Sequence, residues 1–89
     1  MNVKPTYLHI DVPDGATEDL RIGFHTALTV ANLNRDFDVV ITPEKNLLIM
    51  IDTRDLAGNQ WPWIRNVIER AITKYEMMNN IELNGIWLS

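Results

Sequence analysis

Apolar residues recur along this chain with two different periods. Leu8, Ile10 and Val12 alternate with Tyr7, His9 and Asp11, the period-two pattern of a half-buried strand, so a strand is predicted over residues 6–12. Pro13-Asp14-Gly15 follows as a turn signal. Thr17 is placed to cap a helix, with Glu18 and Asp19 in its first turn, where the helix dipole favours negative charge. Leu20, Phe24, Ala27, Leu28 and Ala31 then fall at helical spacing, which predicts a helix over 18–32. Asn32 and Asn34 suit a left-handed C-terminal cap.

The pattern then returns to period two. Phe37, Val39 and Ile41 share one face of a strand over 37–42, residues 42–46 form a polar turn of hairpin length, and a third strand is predicted over 47–53. Polar residues fill 54–60. Trp61-Pro62-Trp63 opens a second helix with Pro62 near its first position. Ile64, Val67, Ile68, Ala71, Ile72, Tyr75 and Met78 form the apolar stripe of that helix, and Asn79-Asn80 ends it. Residues 81–88 read as a last strand, with Gly85 taken as a bulge.

The order βαββαβ predicts an α+β domain of the ferredoxin-like arrangement: a four-stranded antiparallel sheet, two helices on one face, and strands one and three in the centre. With 89 residues, the whole chain is expected to form a single domain.

Helices on one face leave the other face of the sheet bare. Parity assigns it Tyr7, His9 and Asp11 from the first strand, Asp38 and Val40 from the second, and Leu48, Met50 and Asp52 from the third. With a bulge at Gly85, the last strand adds Glu82, Asn84 and Trp87. A solvated sheet face is ordinarily polar. Tyr7, Val40, Leu48, Met50 and Trp87 together make an apolar patch of the kind that marks interaction sites, rich in residue types enriched at interfaces.

Composition narrows the functional classes. Twelve acidic against eight basic side chains leave a net charge of −4, which disfavours nucleic acid as a partner, because that binding rests on Lys and Arg neutralising phosphates. The absence of cysteine removes disulfides, thiolate catalysis and cysteine-ligated zinc. The N-terminal residues form no secretory h-region. The longest apolar run, residues 47–51, is far short of a membrane span. A cytoplasmic protein is the expectation.

Candidate chemistry is sparse. Taking strands one and three as parallel neighbours places Asp11 and Asp52 at adjacent strand ends on one face, where two carboxylates suit Mg²⁺ and phosphodiester chemistry. Strand-end acids in water are the plainer reading, so no metal or other cofactor is assigned. His9 and His25 have no nucleophile at a motif spacing, and no dinucleotide or phosphate-loop glycine pattern is present. Trp63, beside Ile64, is expected to pack the core edge, which leaves Trp61 as the freer ring. Residues 11–15 resemble the first turn of ACT-type ligand domains over five positions, but Asp14 separates Pro13 from Gly15, and no family is assigned on that basis.

The leading expectation is a small acidic protein-interaction module that self-associates and binds a protein partner through this apolar sheet face. Its contact residues are Tyr7, His9, Val40, Leu48, Met50, Trp61 and Trp87. Size and plainness suggest an inhibitor or regulator of the kind phages and other mobile elements encode, acting by occupancy rather than as an enzyme. One alternative is a small-molecule or nucleotide site at a subunit interface, with Trp61, Trp63 and Tyr7 stacking. The other is a metal-dependent phosphodiesterase or nuclease using Asp11 and Asp52.

Overall fold

The computed structural model describes residues 6–31, 35–53 and 60–88. The elements follow in the order β1 (Thr6–Asp11), α1 (Glu18–Val30), β2 (Phe37–Ile41), β3 (Leu47–Ile51), α2 (Trp61–Asn79) and β4 (Asn84–Leu88). One sheet runs β2-β3-β1-β4 with every neighbouring pair antiparallel. This is the ferredoxin-like βαββαβ fold, as the pattern predicts.

Local chemistry sets the element ends. The Thr17 hydroxyl accepts from the Leu20 N–H at 3.2 Å, satisfying one of the unpaired donors at the start of α1. Pro62 sits in the first turn of α2 and Asn80 closes that helix in the left-handed conformation. The proposed cap residues Asn32 and Asn34, and the polar stretch 54–59, lie outside the described residues.

Both helices press on one face. Leu8, Ile10, Val39, Leu47, Ile49 and Ile51 of the sheet form a single buried cluster with Phe24 and Leu28 of α1 and Ile64, Ile68, Ala71 and Tyr75 of α2. The Phe24 and Tyr75 rings meet edge to face, with centroids 5.3 Å apart, and the Tyr75 hydroxyl donates to the Leu20 carbonyl at 3.3 Å. His25, off the α1 core stripe, stacks on Phe37 at 4.6 Å.

Three expectations about the sheet are corrected. First, β1 and β3 are neighbours but antiparallel, with Thr6 opposite Ile51 and Ile10 opposite Leu47. A helical crossover returns β2 parallel to β1, and the β2–β3 hairpin then reverses direction, so the topology requires this. Second, Gly85 is not a bulge. The ladder runs without interruption from Asn84 opposite Asp11 to Leu88 opposite Tyr7. Gly85 serves close packing instead: a Cβ there would stand 3.3 Å from Leu8 Cδ1 and 3.9 Å from Ile72 Cδ1 of α2. Third, β4 begins at Asn84, because the Leu83 N–H bonds the Glu76 carboxylate rather than a strand.

Candidate functional site: the uncovered sheet face

Register alone builds this surface. Residues directly opposite in a ladder point to the same face, so the pairings give two rows across all four strands. One row reads Asp38, Met50, Tyr7, Leu88, and the next reads Val40, Leu48, His9, Ile86. At ordinary strand spacing each row spans about 15–20 Å, and the rows lie about 7 Å apart. Six apolar side chains therefore surround the His9 imidazole. Ile86 and Leu88 are the most open of them, at 49% and 45% exposure. Tyr7, Val40, Leu48 and Met50 are half-buried and are not among the apolar side chains that pack on the core.

Acids border the patch. Asp38 ends the first row and is exposed. Asp11 follows His9 on the same face of β1, and its Oδ1 lies 3.6 Å from His9 Nδ1. Asp52 extends the face just beyond β3, with its N–H bonded to the Asp36 carbonyl at 2.9 Å.

The corrected register moves several expected site residues. Tyr7, His9, Val40, Leu48 and Met50 are gathered on the open face. Trp87 is not: it lies opposite Leu8, on the helix side. There it meets Trp61 edge to face at 5.9 Å, with the Arg65 guanidinium 5.0 Å from its ring centre. Glu82 is exposed and precedes β4 rather than joining it. The places expected for Glu82 and Trp87 belong to Ile86 and Leu88, which parity without a bulge would have found.

The two tryptophans of α2 exchange roles. Trp61 packs against the core, whereas Trp63 is 56% exposed. Stepping back from Ile64 by one helical repeat reaches Trp61; Trp63 lies about 100° around the helix. The sheet thus separates Tyr7 from Trp61 and Trp87, and these rings form no shared stacking pocket.

Antiparallel pairing also separates the two acids considered for metal binding. Asp11 sits at the Asn84 end of β1 and Asp52 just past the Thr6 end, about 20 Å apart along the strand direction. Among the described residues, no group of three or more His, Cys, Asp or Glu is placed to hold a metal ion. No described helix is long and apolar enough to cross a membrane. Comparison with protein-family models, curated proteins and solved structures gives no match.

Proposed function

We propose that the protein is a protein-interaction module, a regulator or inhibitor, that works by docking its uncovered sheet face onto an apolar surface bordered by Lys and Arg. The observation carrying this reading is the pair of apolar rows around His9 on a face that neither helix covers. Such a surface gains about 25 cal/mol for each square ångström of apolar area removed from water. The acids Asp11, Asp38 and Asp52, with the net charge of −4, complement a basic rim, speed approach and penalise acidic surfaces.

The test has two stages. The full chain and its Leu48→Asp variant are used to capture proteins from the native host, and each candidate partner is then purified and titrated. A direct interaction that weakens with salt, and that Leu48→Asp weakens by about tenfold or more, supports the reading. Equal affinity of the two forms for every purified candidate, or no differential capture, sinks it.

A further inference from the structure

The two outer borders of the sheet are built differently. Thr42 N–H bonds Asn46 O and Asp52 N–H bonds Asp36 O, which fixes the alternation of the antiparallel ladders. Asp38 and Val40 turn their backbone groups toward β3, so Phe37, Val39 and Ile41 turn theirs outward. At the centre of this border both groups of Val39 are taken. Its N–H donates to Asp38 Oδ1 at 2.9 Å, and its carbonyl accepts from Arg21 Nη1 at 3.3 Å. A charged side chain from the strand and another from α1 thus guard the β2 border, a recognised way of keeping further strands off.

The same alternation carried across the sheet gives the opposite result at β4. Leu47, Ile49 and Ile51 face β1, and Tyr7, His9 and Asp11 face Leu88, Ile86 and Asn84. Gly85 and Trp87 are left pointing their N–H and carbonyl groups outward, and no side chain among the described residues bonds them. The strand Asn84–Leu88 carries no charge and no proline, Gly85 is exposed, and Ile86 and Leu88 are the most open side chains of the uncovered face.

We infer that this border takes β4 of a second copy of the chain, antiparallel about a two-fold axis, to make one continuous eight-stranded sheet. The chain's own β4 fits the place in three respects. Gly85 pairs with Trp87 of the other copy and Trp87 with its Gly85, so all the outward groups of both strands find partners in the two pairs. Gly85, with no side chain of its own to obstruct approach, lies opposite the Trp87 of the other copy. Ile86 meets its own equivalent on the axis, and Asn84 lies opposite Leu88, which keeps every open-face residue on one face. The row Val40, Leu48, His9, Ile86 then continues into its symmetry copy. The inference stands on the border chemistry and not on the identity of a partner for the face; if both hold, assembly doubles the docking surface.

Sedimentation of the full chain across a concentration series tests this, together with amide exchange at the two borders. The expected result is a reversible dimer in which Gly85 and Trp87 amides become protected as concentration rises, while the Phe37 and Ile41 amides do not. Ile86→Lys and Ile86→Glu, at a half-exposed position that leaves the monomer folded, should each weaken the dimer about tenfold or more by setting like charges on the axis. Mixing the two variants should restore it. Leu48→Asp should leave the dimer intact, so loss of partner binding and loss of dimer are read separately. A chain that stays monomeric at millimolar concentration overturns the inference. So does a dimer indifferent to both Ile86 variants, or one abolished by Leu48→Asp while the Gly85 and Trp87 amides still exchange freely.

Discussion

Lys45 closes the β2–β3 hairpin with a φ of 66°, a left-handed conformation that a Cβ makes costly for most residues. Lys45→Val should lose about 1–2 kcal/mol, because a β-branched side chain is least tolerant there. Lys45→Gly should lose nothing, its relief of strain offsetting the greater backbone freedom glycine gives the unfolded chain. Urea denaturation of the two variants checks both. Tyr75 makes a pH-dependent contribution: burial raises its phenol above the ordinary value of about 10. The folded state then holds the proton more tightly than the unfolded state does. The stability from this difference is complete below about pH 10 and is lost as pH rises through the folded value. Tyr75→Phe should flatten the fall in stability above pH 10, at a general loss of about 1 kcal/mol for the bond to Leu20.

Single caps and single glycines decide how elements start and how closely they approach. Thr17→Ala should cost about 1 kcal/mol by freeing the Leu20 N–H at the start of α1, measurable as a shift in the denaturant midpoint with an unchanged slope. Much of the architecture was legible at this scale because periodicity is a local property. The alternation through β1, β2 and β3, the stripe of α2 from Ile64 to Tyr75 and the Asn79-Asn80 stop all follow from neighbours in sequence, whereas Met78, expected on that stripe, is 75% exposed. Gly85 was not legible in the same way. A glycine in a strand reads equally as a bulge or as room for a neighbouring element, and the deciding neighbour, Ile72, comes from α2. That one ambiguity reversed the parity of β4 and moved Trp87 to the wrong side. The separation of Asp11 from Asp52, by contrast, was derivable from connectivity, since a crossover followed by a hairpin must set β3 against β1.

At the scale of the molecule, two sides of one sheet obey different rules. The sheltered side is packed around Leu8, Ile10, Ile49 and Ile68, and Ile68→Ala should cost about 2–5 kcal/mol in chemical denaturation. On the open side Leu48 is half-buried rather than fully packed, so Leu48→Asp should cost less than Ile68→Ala, about 1–2 kcal/mol. A large loss of stability in Leu48→Asp would mean that the open rows help hold the fold together.

Guarding one flank of the sheet and leaving the other bare also limits how far assembly can proceed. Two chains joined flank to flank about a two-fold axis use up both bare flanks and present only guarded ones to solution. Among the described residues the β2 flank that remains has its central groups, at Val39, already bonded, so growth beyond two is disfavoured. Removing the guard, as in Arg21→Ala combined with Asp38→Val, should turn a closed pair into a growing polymer. Thioflavin fluorescence of concentrated solutions would register the change.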